Sequence, residues 1–248
     1  MAPRRPAPDT AGVRLRVLSY NVHSQRDDRA ALAAVVRAAR ADVVIVQEAP
    51  RRFRWRPKCA ALADAFGLVV AAGGLPALGN LLLTNLRVRV HHTWCRRFPL
   101  TPGRHMRGVA FAECGVGAAR FVVAGSHLST DATERPGQAA LLRVAVAQTH
   151  LPVILGADVN ETPGGAAWQA VADGLVDAAA VTDHADRPTF PCANPRRRID
   201  GIFVDPRITV ADFDVIDTPR ARRASDHFPL LVDLLLPATL DPAAVGRG

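Results

Sequence analysis

The chain has 248 residues, 49% of them hydrophobic, and a formal net charge of +8. That is ample material for one large core, while no uncharged run reaches the roughly 18 residues of a membrane span. The charge is almost wholly arginine, Lys58 being the only lysine, and it favours phosphate-rich partners over cationic ones.

Cys59, Cys95, Cys114 and Cys192 are scattered without C-x-x-C spacing, so neither a zinc site nor a disulfide framework is suggested. Residues 1–12 and 237–248 are rich in Pro, Ala, Gly and Arg without hydrophobic period and read as disordered tails around an ordered unit of residues 13–236. With no signal-like apolar stretch at the N-terminus, a soluble cytoplasmic protein is expected.

Val13 to Val22 alternates apolar and basic residues, a strand that stops at the polar Asn21. Asp27 or Asp28 can cap the helix that follows, in which Leu32, Val35, Val36 and Ala39 form one stripe. Val43 to Val46 is a β-branched run, a strand buried on both faces, ending in Gln47-Glu48. Lys58 to Phe66 has helical character. Strands are expected at residues 67–72, 81–84, 88–92, 108–114 and 120–124, the last leading into Ser126-His127.

Glu134 to Thr149 reads as a helix with Ala140, Leu141, Val144 and Ala145 on its buried face. A buried strand then ends in Asp158-Val159-Asn160, and a short helix covers residues 165–173. Asp200 opens the next strand, one more spans residues 208–215, and Asp226-His227 stands at the mouth of an apolar strand ending at Leu236. Strands outnumber helices and helices cross over between strands, which points to mixed sheets with helices outside.

The polar strand ends are the informative feature. Asn21, Glu48, His127, Asp158, Asn160, Asp200, Asp226 and His227 are hard oxygen donors, amides and imidazoles; where such ends converge they form an acidic pocket. That chemistry suits Mg²⁺, with Mn²⁺ as a substitute, and the hydrolysis of phosphate esters. Each residue has a plainer alternative: a turn cap for Asn21 or Asn160, an N-cap for Asp158, an ion pair with Arg51 or Arg52 for Glu48.

The segments SYNVH, VQE, GN-x-x-L, SHL, GADVN, RIDGIF and SDHFPL, in this order, resemble the motif series of the endonuclease/exonuclease/phosphatase (DNase I-like) superfamily. The resemblance implies a four-layer α/β/β/α sandwich of two mixed sheets. It implies Glu48 as the main metal ligand with Asn21 and Asp226 beside it, and Asp158 as the residue that activates water. Asn160 would contact the phosphate, Asp200 would orient His227 towards it, and His127 would bind phosphate or assist the leaving group. Asn80 and Arg107 match further positions of the family.

Arg51, Arg52, Arg54 and Arg56, then Arg196 to Arg198, then Arg220, Arg222 and Arg223 adjoin these residues and would ring the pocket, with Arg198 and Arg223 the nearest candidates for substrate contact. The expected activity is that of a Mg²⁺-dependent phosphodiesterase or nuclease, with nucleic acid favoured over lipid or small molecules. A sphingomyelinase-like phosphodiesterase, a phosphomonoesterase and a catalytically silent polyanion-binding module are the alternatives. No protein partner can be inferred.

Overall fold

The structure, a computed structural model, describes residues 12–238, so nearly all of both expected tails lies outside the described residues. Strand β1 (Val13–Asn21) leads through α1 (Arg29–Ala39) to β2 (Val43–Gln47), and α2 (Trp55–Phe66) precedes β3 (Val69–Gly74) and β4 (Asn80–Thr84). Then follow β5 (Arg89–Arg97), β6 (Gly108–Val116), β7 (Ala119–His127), α3 (Arg135–Ala147) and β8 (Val153–Asp158). The chain ends with α4 (Ala166–Ala172), β9 (Val176–Asp177), β10 (Asp200–Val204), β11 (Thr209–Val215), α5 (Ala221–Ala224) and β12 (Leu230–Leu236).

Two six-stranded sheets result, ordered β11-β12-β1-β2-β4-β3 and β5-β6-β7-β8-β10-β9. Each contains one parallel pair, β1 with β2 and β7 with β8, and is otherwise antiparallel. Parallel neighbours need a crossover, and α1 and α3 supply one on each outer face. The layers are therefore helix, sheet, sheet, helix, the expected α/β/β/α sandwich of DNase I-like type.

Alternation along β6 shows how the core is divided. Ala110, Ala112 and Cys114 pack with the inter-sheet core, while Val109 and Phe111 turn outward to meet Leu142 and Trp168 of α3 and α4. Two glycines face side chains of the other sheet at close range: a Cβ on Gly125 would lie 2.8 Å from Ile45 Cγ2, and one on Gly156 would lie 2.7 Å from Ser19 Oγ. Only glycine leaves room for these side chains. Gln47 crosses the seam beside them, its amide 3.5 Å from Gly156 O on the other sheet and 3.2 Å from Ser19 Oγ on its own.

Asp28 caps α1, accepting from the Ala31 amide at 2.9 Å, as one of the two residues expected. The face of α3 differs from expectation. Ala139, Leu142, Ala145 and Val146 are buried, whereas Leu141 and Val144 are 43% and 46% exposed. This helix is apolar nearly all round, so periodicity permits faces one residue apart. Its rotation is set by polar anchors at its start, where Gln138 Oε1 accepts from Ser129 N at 2.8 Å and Arg135 Nη1 donates to Asn160 O at 2.8 Å.

Strand β5 runs to Arg97, past the expected end at His92, because this exposed edge pairs with β6 along its length and stacks Trp94 on Phe111 at 4.9 Å. The two-residue β9 and the one-turn α5 were too short to carry a sequence period. Among the described residues no helix is long and apolar enough to cross a membrane.

Candidate active site

Strand register gathers the polar ends into rows. His127 lies beside Asp158 in the parallel β7–β8 pair, and Asp200 lies opposite Asp158 in the antiparallel β8–β10 pair. Three chemistry-bearing residues thus stand abreast on one sheet. On the other sheet Asn21 is level with Gln47, and β12 begins at Leu230 opposite Ser19, so Asp226 and His227 arrive beside the end of β1. Ser225 fastens that approach: its hydroxyl donates to Asn21 O at 2.7 Å and accepts from His227 N at 3.3 Å.

Asp158 is the hub. It is 1% exposed, yet both its oxygens are held: Asn21 Nδ2 donates to Oδ2 at 2.8 Å, and the Asn160 amide donates to Oδ1 at 3.0 Å. His127 Nε2 lies 3.3 Å and His227 Nε2 3.8 Å from the same Oδ2. The side chain therefore sits between two amides and two imidazoles rather than capping α4, where Glu161 accepts from the Ala167 amide instead.

His227 is held from behind. Its Nδ1 lies 2.9 and 3.1 Å from the two oxygens of Asp200, so Nδ1–H donates to the carboxylate and Nε2 is directed at Asp158. Burial opposes charge on this ring, but Asp200 and Asp158 outweigh it and push the pKa up to about 10. Asp200 is in turn fixed by Thr189, a fully buried residue whose hydroxyl donates to Oδ2 at 2.6 Å. The ring of Phe190 packs against His227 at 4.7 Å.

His127 behaves oppositely. Burial dominates over the nearby Asp158, with Arg107 and His227 adding to it, and lowers its pKa to about 3. A neutral imidazole and a cationic one thus flank one carboxylate. Asn160 adopts a left-handed backbone (φ 56°), which brings its Nδ2 to 3.0 Å from both His127 Nε2 and Leu128 O.

Glu48, also left-handed (φ 58°), is half-buried, and its Oε2 accepts from Ser24 Oγ at 2.8 Å. Neither Arg51 nor Arg52 forms an ion pair with it among the described residues. Asp226 faces the same region, with His23 Nδ1 3.7 Å from its Oδ1 and 2.7 Å from Asp27 Oδ2. The partly open carboxylates of Glu48 and Asp226 suit a hard divalent cation. Asn21 already uses both ends of its amide, on Asp158 and on the His23 amide, so it contributes one remaining lone pair at most. Asp158, Asp200 and His227 form a second group whose ligand atoms lie within 4.8 Å of one another and could hold a metal ion. Its imidazole nitrogen facing Asp200 is occupied by a hydrogen bond.

The remaining expected residues divide. Arg107 is 8% exposed and its Nε lacks a hydrogen-bond partner among the described residues; burial holds its pKa below the usual arginine value while Asp158 and Glu48 work the other way. A buried guanidinium beside two carboxylates and a vacant donor is suited to an anion. Asn80 ties β4 to its surroundings through Ala77 O and Gly108 O, at 2.8 and 2.9 Å. Arg198 is drawn into the fold, where it grips Asp177 at 2.9 and 3.1 Å and lies over Trp168. Arg222 likewise pairs with Asp217 and covers Phe228, while Arg223 is exposed, 3.7 Å from Asp28. Thr189, Ser24 and Arg135 were not singled out in the sequence. Their positions depend on contacts with distant segments, and no local pattern marks them.

The sequence pattern of the Endonuclease/Exonuclease/phosphatase family matches residues 18–227. No curated protein matches the chain by sequence. Among solved structures, an endonuclease/exonuclease/phosphatase family protein from Bacteroides thetaiotaomicron is similar at TM-score 0.76 and 18% identity, over 91% of this chain and 98% of that one. The mannosyl-6-phosphatase of Bacteroides thetaiotaomicron gives 0.76 and 19%, over 90% and 100%. D. rerio TDP2 complexed with a single-strand DNA product gives 0.74 and 20%, over 89% and 98%.

Proposed function

The chain belongs to the endonuclease/exonuclease/phosphatase family, whose members hydrolyse phosphate esters, and from that premise we propose that it is a Mg²⁺-dependent phosphodiesterase. The observation that carries this reading is the environment of Asp158: a buried carboxylate fixed by Asn21 and Asn160 and facing a cationic His227.

Glu48 and Asp226, with Asn21 supporting, would hold the divalent ion, which when bound neutralises charge on the phosphate. Asp158 would align the attacking water and take its proton. The new bond forms from the water oxygen to phosphorus, the bond to the ester oxygen breaks, and the proton passes on to the departing alcohol. His227, kept charged by Asp200, donates to a non-bridging oxygen as its charge rises. Asn160 steadies Asp158 and the neutral His127 on the neighbouring side, and Arg107 adds positive charge from within.

Nucleic acid is the first substrate class, since the arginine clusters adjoin the site and the likeness to TDP2 with a DNA product is compatible with it. Phospholipid is the second, favoured by apolar side chains exposed beside Glu48. A panel of single-stranded DNA, duplex DNA, RNA, sphingomyelin, a sugar phosphate and bis-p-nitrophenyl phosphate, assayed with Mg²⁺, with Mn²⁺ and with EDTA, tests the reading. Metal-dependent cleavage of a diester supports it. Cleavage of the monoester alone would make the protein a phosphomonoesterase, and folded protein inert on every substrate would favour a silent binding module.

A further inference from the structure

The positive charge of this chain is concentrated. Between Ala49 and Ala112 eleven Arg and Lys residues stand against a single acid, Asp64, a net +10, so the rest of the chain is slightly acidic. Only Arg87 and Arg104 of the eleven form ion pairs among the described residues, with Asp42 and Asp131. The same segment supplies eight of the eleven large apolar side chains that the described residues leave exposed.

Four of the eight lie at the active-site end of the sandwich: Phe53 (83% exposed), Leu75, Leu100 (60%) and Met106. Their loops are tied into one rim. Ala49 N donates to Gly79 O at 2.8 Å, Arg51 Nη1 to Leu78 O at 2.8 Å, Arg97 Nε to Pro76 O at 3.2 Å and Phe98 N to Arg107 O at 2.8 Å. Glu48 adjoins one end of this rim and Arg107 the other. Arg52, Arg54 and Arg96, all exposed and unpaired, stand among the apolar tips.

We propose that this rim docks the protein on an anionic lipid surface, with the edge that bears the active site turned towards the headgroups. Arginines near an anionic leaflet are attracted to it, and apolar tips enter the headgroup boundary; each is weak alone, and together they give reversible binding. Nucleic acid would engage the arginines and could stack on Phe53, but it would leave Leu75, Leu100 and Met106 in water. The mixture of cations and aliphatic tips is what distinguishes the two partners. The inference concerns where the protein binds and stands independently of the hydrolase reading.

Co-sedimentation with vesicles of phosphatidylcholine and phosphatidylglycerol, against vesicles of phosphatidylcholine alone, tests it without any turnover. Binding at least tenfold stronger to the anionic vesicles is expected. Arg52→Ser and Arg54→Ser should each weaken it about fivefold. Phe53→Ser combined with Leu100→Ser should weaken it at least tenfold at an unchanged melting temperature, and Val181→Ser, at an exposed site outside the segment, should leave it unchanged. Failure to bind anionic vesicles would overturn the proposal. So would vesicle binding indifferent to the Phe53 and Leu100 changes and displaced by a single-stranded oligonucleotide, which would assign the rim to nucleic acid.

Discussion

Asp158 and Asp200 stand opposite each other in the antiparallel β8–β10 ladder, 1% and 4% exposed, with His227 bonded to Asp200 and directed at Asp158. Two buried carboxylates side by side repel, and the cationic imidazole offsets that repulsion. The arrangement links catalysis and stability through one ring.

His227→Ala should therefore affect both. The buried Asp200 loses its partner, and breaking such a pair costs roughly 3–5 kcal/mol. Turnover should fall by about 10²–10⁴-fold, since the donor to the phosphoryl oxygen is gone. Urea denaturation and steady-state assays check the two effects, and a variant with normal stability would remove the proposed compensation of charge.

Thr189→Val keeps the shape of a fully buried side chain but deletes the hydroxyl that donates to Asp200 and accepts from the Ile199 and Asp200 amides, at 3.1 and 3.3 Å. A loss of about 1–3 kcal/mol is expected from the unsatisfied groups. Turnover should drop with little change in KM, because Asp200 no longer holds His227 in one orientation.

Glu48→Ala should separate metal binding from folding. The carboxylate is half-buried and, among the described residues, bonded only to Ser24. Calorimetric titration with Mn²⁺ should show binding weakened at least tenfold, while unfolding in EDTA stays within about 1 kcal/mol of the wild type. Undiminished Mn²⁺ affinity would move the metal to the Asp158, Asp200 and His227 group.

Gly156→Ala tests the contact between sheets. The added methyl would lie 2.7 Å from Ser19 Oγ and 2.8 Å from Ile45 Cδ1. Overpacking of this kind costs about 1–3 kcal/mol. Because Gly156 precedes Asp158 on β8 by two residues, a loss of activity should accompany the loss of stability.

Much of this was legible in the sequence because burial and polarity conflict at strand ends. A run such as Val43 to Val46 demands a core, so Gln47 and Glu48 immediately after it mark where the core meets an edge. The same conflict marks Asp158 and Asp226, and register converts it into the row of His127, Asp158 and Asp200. Where local pattern is degenerate, long-range contacts decide. The rotation of α3 rests on Arg135 and Gln138 reaching other loops. Arg198 looks like a free basic side chain in the sequence, and only the fold reveals Asp177 and Trp168 as its partners. Thr189 acquires its place through Asp200, eleven residues away.

The most direct test of the proposed hydrolase is the rate of diester cleavage by wild-type protein and by Asp158→Asn, each with Mg²⁺ and with EDTA, using bis-p-nitrophenyl phosphate and the best substrate of the panel. The expected result is Mg²⁺-dependent cleavage by the wild type, abolished by EDTA and lowered at least a hundredfold by the substitution, in a variant that circular dichroism shows to be folded. Equal rates for the two proteins, or cleavage indifferent to EDTA, would contradict the account.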